Sequence, residues 1–140
     1  TLRNQLIEKK DWQHTMMQYA NQWKEADAIV IGAPYWDWSF PSILKVYIEN
    51  IFISDLTFAY QENGSVGLCK GEKLVYITTA GGNAQSNMGF DYIKALFGTF
   101  YNVTDVTCHK AEMLDVIGMD VESILQETRD EIDEDYGEKR

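Results

Sequence analysis

Three short apolar runs separated by stretches of helical period limit what this chain can fold into: residues 28–31, 73–79 and 103–109. Each reads as a strand, and each is followed by a segment with apolar residues three and four positions apart. Before the first run, Leu2, Leu6, Ile7, Met16, Met17, Tyr19, Ala20 and Trp23 fit one amphipathic helix or two short ones, with Lys9, Lys10 and Asp11 marking a break. Residues 41–53 read as the next helix, with Pro41 suited to its first position. Its apolar residues, Ile43, Leu44, Val46, Tyr47, Ile48, Ile51 and Phe52, cover a broader face than one sheet needs, which suggests a subunit contact. Residues 88–101 follow, with Phe90, Ile93, Leu96, Phe97 and Phe100 at helical spacing. The last helix starts at a cap on Asp120 or its neighbour and runs to about Tyr136, with Val121, Ile124, Leu125, Thr128 and Ile132 in one stripe. Such alternation predicts an α/β fold, a doubly wound parallel sheet with helices on both faces, as a single domain over residues 1–140. The unbroken run 28–31 is expected to be buried on both faces.

Ligands of open α/β sheets lie beyond the carboxyl ends of the strands, which is where residues 34–40 fall. This loop holds Tyr35, Trp36, Asp37, Trp38, Ser39 and Phe40, stiffened at its ends by Pro34 and Pro41. Two indoles and a phenol suit a flat ligand. The same side chains would also serve to pack the top of a sheet, but loops on a rigid scaffold are where binding groups concentrate. The second strand ends in Thr79 and runs into Ala80, Gly81, Gly82 and Asn83, where the glycines let backbone approach a ligand closely. Between the two strands, residues 56–60 read as a short extended piece and residues 62–65 as a turn.

Charge removes one class of function. The chain has 140 residues and a net charge of -10, and no basic patch of the kind that phosphate backbones require, which argues against a nucleic-acid partner. No apolar run approaches a membrane span, and no signal peptide is visible, so a cytoplasmic location is expected. Cys69 and Cys108 form no metal-ligand pattern and read as buried, reduced and inert. A hydrolase lacks parts: the histidines are His14 and His109, and there is no GxSxG elbow. His14 reads as a surface residue and His109, near a strand end, as a structural one. The run Asp133, Glu134, Asp135 reads as a solvent-exposed acidic end and not as a metal site. The chain opens at Thr1 without Met, already in a helical pattern, which suggests a fragment.

From about Asn21 to the last helix, the residues resemble the flavodoxin-like FMN-dependent NAD(P)H:quinone oxidoreductases and azoreductases. The resemblance rests on the strand, Ala-Pro and aromatic loop of residues 29–41, on Thr79-Ala80-Gly81-Gly82, and on the segment FAYQENG at 58–64 followed by Gly67 and Leu68. It implies a flavodoxin-like three-layer sandwich and a two-electron transfer from NADH or NADPH to a quinone, azo or similar aromatic acceptor in alternating half-reactions. FMN would be the cofactor, with Pro34, Tyr35, Trp36, Asp37 and Trp38 around its ring and Thr79, Gly81 and Gly82 at the other polar edge. Hydride transfer through a flavin needs no catalytic acid or base from the protein. The acceptor would meet Phe58, Tyr60, Phe97 and Phe100, and the enzyme would be a homodimer whose partner completes each site.

The resemblance also implies that the first strand, phosphate loop, first helix and second strand of the family precede this chain. The expectation is then a domain truncated at the amino end, with the run 28–31 at a sheet edge. Two departures from the family stand at Asp37, where Asn is frequent, and at Ala80, where a charged residue is frequent. A truncated domain without activity of its own and a flavodoxin-type electron carrier are the competing readings.

Overall fold

The structure, a computed structural model, describes residues 1–138. It begins with α1 (Leu2–Lys9), a 3-10 turn (Thr15–Met17) and α2 (Gln18–Glu25), so the amino-terminal pattern resolves into two short helices. The break falls at Lys10, which ends α1 in the left-handed conformation at φ 53°. There follow β1 (Ile29–Gly32), α3 (Ser42–Ile51), β2 (Phe58–Gln61), β3 (Gly64–Gly67), β4 (Lys73–Thr79), α4 (Met88–Phe100), β5 (Asp105–Ala111) and α5 (Val121–Tyr136). Strands β1, β4 and β5 form a parallel sheet in the order β1-β4-β5, with Ile31 opposite Tyr76 and Tyr76 opposite Cys108. The predicted turn at 62–65 is part of an antiparallel hairpin, β2 with β3, whose second strand the sequence pattern did not show.

One face of the sheet carries the main core. Ile29 and Ile31 of β1 and Leu74 and Tyr76 of β4 meet Trp23 of α2, Ile48 and Ile51 of α3, and Ile93 and Phe97 of α4. A smaller cluster, Leu6, Met17, Ala20, Ile53 and Leu56, fastens the amino-terminal helices to the end of α3. The Arg3 guanidinium adds a hydrogen bond to the Phe52 carbonyl at 2.8 Å. Buried polar groups near this junction are partnered, as burial requires. The Thr57 hydroxyl donates to the Ile51 carbonyl at 2.7 Å and accepts from the Ile53 N–H at 3.2 Å.

The other face is covered by α5 alone, and only in part. Its stripe of Val121, Ile124, Leu125, Thr128 and Ile132 is half-buried, and no residue of the helix is fully buried. Beneath it lies His109, 5% exposed, with the Glu131 and Asp135 carboxylates 3.6 Å from its two ring nitrogens and the Tyr136 hydroxyl at 3.4 Å. This histidine is a structural one, tying β5 to the last helix. Helix α5 does not reach β1, where Val30 is 66% exposed and the residues of the strand alternate between buried and open. The expectation that run 28–31 is buried on both faces therefore fails, because only its Ile29 and Ile31 side has helices against it.

Smaller differences also have local causes. Pro41 precedes α3 as its cap with φ -57° and ψ 145°, and the helix stops at Ile51 because Phe52 leaves helical geometry. The third strand of the sheet begins two residues later than the apolar pattern indicated, since Val103 is a buried residue of the preceding turn. Asp120 does cap α5, accepting from the Ser123 N–H at 3.2 Å and the Ser123 hydroxyl at 2.8 Å. Both cysteines are free and half-buried. Burial pushes the Cys69 thiol up to about 11, so it is not a reactive thiolate at neutral pH.

Candidate functional site

Because β1, β4 and β5 are parallel, their carboxyl ends emerge along one edge of the sheet, and three loops meet there. The ladder between β1 and β4 continues past the strand: the Ala33 N–H donates to the Ile77 carbonyl at 2.9 Å and the Tyr35 N–H to the Thr79 carbonyl at 2.8 Å. The Tyr35 hydroxyl then reaches the Ser86 carbonyl at 3.1 Å, and the Met88 N–H donates to the Trp38 carbonyl at 2.9 Å. The loop after β4 is tied as firmly to the loop after β5. The N–H groups of Met113, Leu114 and Asp115 donate to the carbonyls of Gly82, Ala80 and Gly81 at 3.1, 3.2 and 2.9 Å, and the Ala84 N–H donates to Glu112 Oε1 at 2.8 Å.

The result is a crevice of about 220 Å³ walled by Pro34, Tyr35 and Trp36 on one side, Thr79, Ala80 and Gly81 at its floor, and Leu114 and Asp115 on the other side. A larger groove of about 820 Å³ lies at the opposite end of the sheet, by Lys73 and Asp105, which begin β4 and β5. The smaller crevice is the better candidate, since it stands at the strand carboxyl ends and presents aromatic side chains to solvent.

The aromatic rim is held in an unusual backbone conformation. Trp36 and Ser39 exchange two hydrogen bonds, at 3.0 and 2.8 Å, and close a turn in which Asp37 and Trp38 have φ 48° and 68°. Non-glycine residues in this left-handed region cost about 1–2 kcal/mol each, and such strain gathers at functional positions. The turn holds both indoles outward, with Trp36 60% and Trp38 64% exposed. Among the described residues, the N–H groups of Asp37, Trp38, Gly81 and Gly82 donate to no protein acceptor. A side chain at Gly82 would meet nothing within 4 Å, so that strip of backbone is open to an approaching group. The arrangement can hold a flat ring against aromatic faces and offer N–H donors to polar edges; its walls contain no nucleophile–base pair.

Five of the eight residues that the family resemblance assigns to cofactor binding, Pro34, Tyr35, Trp36, Thr79 and Gly81, line this one crevice, while Asp37, Trp38 and Gly82 stand on the adjoining loops. The four aromatics assigned to an acceptor pocket do not join it. Phe97 is a correction: it is fully buried, stacked between Trp23 at 4.9 Å and Tyr101 at 5.0 Å, and has no surface to offer an acceptor. Phe58, also a correction at 3% exposed, forms with Tyr60 and Phe100 an aromatic patch with ring centroids 5.3 to 6.5 Å apart. That patch is at the far end of α4, whose first residue bonds to Trp38 and whose last is Phe100; at about 1.5 Å per residue the ends are roughly 20 Å apart. Sequence reasoning missed Leu114 and Asp115. Their signal was their position, since residues 112–118 follow a parallel strand as the other two loops do.

A family model described as the flavodoxin-like fold matches residues 4–135. The FMN-dependent NADH:quinone oxidoreductase 2 of Clostridium acetobutylicum is 47% identical over 121 residues, covering 82% of this chain and 60% of the relative. The FMN-dependent NADH:quinone oxidoreductase of Clostridium beijerinckii is 40% identical over 124 residues, covering 86% and 62%. Among solved structures, an FMN-dependent NADH-azoreductase from Bacillus anthracis in complex with FMN superimposes with a TM-score of 0.75 at 27% identity, over 91% of this chain and 63% of that one. The azoreductase AzrA gives 0.77 at 26% identity, over 93% and 65%. The chain thus spans about 60% of the length of the curated relatives it matches.

Proposed function

Because this chain belongs to the flavodoxin-like fold family, we propose that it binds the ring of FMN in the crevice at the strand ends and serves an oxidoreductase that passes two electrons from NADH to a quinone, azo or similar aromatic acceptor. The observation that carries this reading is the turn of Trp36 to Ser39, where two residues are held at positive φ and two indoles stand in solvent, with the N–H groups of Asp37, Trp38, Gly81 and Gly82 unpartnered. Stability alone does not favour such an arrangement, and a flat ligand accounts for it.

The residues present fit the isoalloxazine ring. Trp36 and Trp38 would supply apolar faces to it, and the free N–H groups of Asp37 and Trp38, with Thr79, Gly81 and Gly82, would serve its polar edges. The FMN phosphate has no cationic partner in these loops, since residues 34–41, 80–87 and 112–120 contain no Lys or Arg. Bound FMN would supply the two-electron relay of the overall reaction, in which NADH, a proton and a quinone give NAD+ and a quinol. The task of the protein is to hold ring and reactant face to face and to exclude water between them. Donors on the loops would stabilise the negative charge that reduction brings, without any side chain having to titrate.

A second copy of the chain completes the site in this reading. Ile43 and Val46 of α3 are exposed, as is Tyr60 of the distant aromatic patch, and a homodimer would cover the former and bring the latter to a neighbouring crevice. Two free cysteines and a nicotinamide reductant suit the cytoplasm, and among the described residues no helix is long and apolar enough to cross a membrane.

Titration of the purified protein with FMN tests the assignment. Quenching of flavin fluorescence to a stoichiometric end point is expected, together with NADH oxidation that depends on added quinone, and a dimer mass by sedimentation on the same sample. A folded protein that leaves the flavin spectrum and fluorescence unchanged would rule the assignment out, and a monomer mass with full activity would rule out the shared site.

A further inference from the structure

Asp115 stands in the wall of the crevice with no structural task. Its carboxylate forms no ion pair and no side-chain hydrogen bond among the described residues, whereas the neighbouring Glu112 is engaged twice, with Lys110 at 3.1 Å and with the Ala84 N–H at 2.8 Å. The backbone of the residue is nevertheless held in place. The Asp115 N–H is bonded to the Gly81 carbonyl at 2.9 Å, and Asp115 Oδ2 lies over the Gly81 α-carbon so closely that any side chain at position 81 would overlap it. Gly81 therefore does two things: it opens its backbone to the crevice, and it makes room for a negative charge beside it. The surrounding loops offer nothing to neutralise that charge, because residues 34–41, 80–87 and 112–120 carry Asp37, Glu112, Asp115 and Asp120 and no cation.

We propose that Asp115 is a tuning residue, a negative charge in the crevice wall that lowers the reduction potential of bound FMN and so raises its driving force toward acceptors that are hard to reduce, such as azo bonds. This rests on the flavin reading above. Two-electron reduction adds negative charge to the ring, and a carboxylate in the wall of the same crevice opposes it, while the oxidised ring, which is neutral, is unaffected. Asp115 touches no reacting atom in this account. It acts through the electrostatic potential at the ring, from a backbone position held by the bond of the Asp115 N–H to the Gly81 carbonyl.

The test is the midpoint potential of FMN in the unaltered protein, in Asp115→Asn and in Asp115→Ala, measured by equilibration with a redox dye. Asn keeps the shape of the side chain and Ala does not, and the exposed position leaves both variants folded. Both are expected to favour reduced flavin by on the order of tenfold, which for a two-electron couple is about 30 mV upward. Unchanged or lower potentials in both overturn the proposal, and so does a shift confined to Asp115→Ala, which would mark a packing effect. Failure of the unaltered protein to retain FMN overturns the flavin assignment and this role with it, whereas retained FMN with an unmoved potential overturns this role alone.

Discussion

Phe97→Ala is expected to lower the free energy of unfolding by about 3–5 kcal/mol, the usual cost of deleting a buried phenyl ring. The side chain is fully buried and is stacked on both sides, 4.9 Å from Trp23 and 5.0 Å from Tyr101, at interplanar angles of 24° and 21°. Its removal leaves a cavity that neither neighbour can fill, because Trp23 is also packed against Tyr47 and Tyr101 against Phe52 and Phe58. With a total stability of about 5–15 kcal/mol for a domain of this kind, the loss is a large share of the whole. For a urea slope of about 2 kcal/mol per molar, the midpoint should fall by about 2 M. Phe97→Leu, which keeps most of the volume, should cost no more than about 1.5 kcal/mol. An acceptor-pocket role would give the opposite pattern: a raised KM for the quinone at unchanged urea midpoint.

Trp38→Gly should separate function from stability at one position. The residue sits at φ 68°, which costs a non-glycine side chain about 1–2 kcal/mol, and glycine escapes that cost while losing about 0.5–1 kcal/mol through its freer unfolded chain. The indole is 64% exposed, so little packing is lost with it. The buried third of the indole offsets the gain at positive φ, so the net expectation is a urea midpoint displaced by no more than about 1 kcal/mol of stability. FMN binding should weaken at the same time by about 10- to 100-fold, the loss of a stacking surface for a flat aromatic ring being worth about 1–3 kcal/mol. A destabilised variant with undiminished FMN affinity would mean that Trp38 is a packing element and that the turn serves the fold. The contrast makes the result decisive, since a general disruption of the loop would lower both quantities together.

Much of the fold was legible because burial leaves a period in the sequence. Ile29 and Ile31, the stripe of α5, the spacing of Ile93, Phe97 and Phe100 and the cap at Asp120 all follow from residues that must meet a core or satisfy a helix end. The hairpin partner Gly64–Gly67 was not legible, because two of its four residues are glycines and its pairing depends on β2, not on an apolar face. The aromatic loop was legible for a different reason: aromatic residues between two prolines, just past a strand, are expensive to expose and have few structural uses there.

The chain by itself determined which residues lie on the loops at the strand ends, since that depends only on where apolar runs stop. It did not determine which of them face one another. That Phe97 belongs to the core while Phe100 belongs to a surface patch was settled by helix packing, because residues three apart on α4 look alike in period and differ only in what the sheet, α2 and the hairpin bring against them. That Val30 is bare was settled by the reach of α5, and that Asp115 rests on Gly81 was settled by hydrogen bonds between two loops more than thirty residues apart in sequence. Periodicity records whether a side chain is buried; only the packed chain decides against what, and the chemistry of the crevice depends on the second.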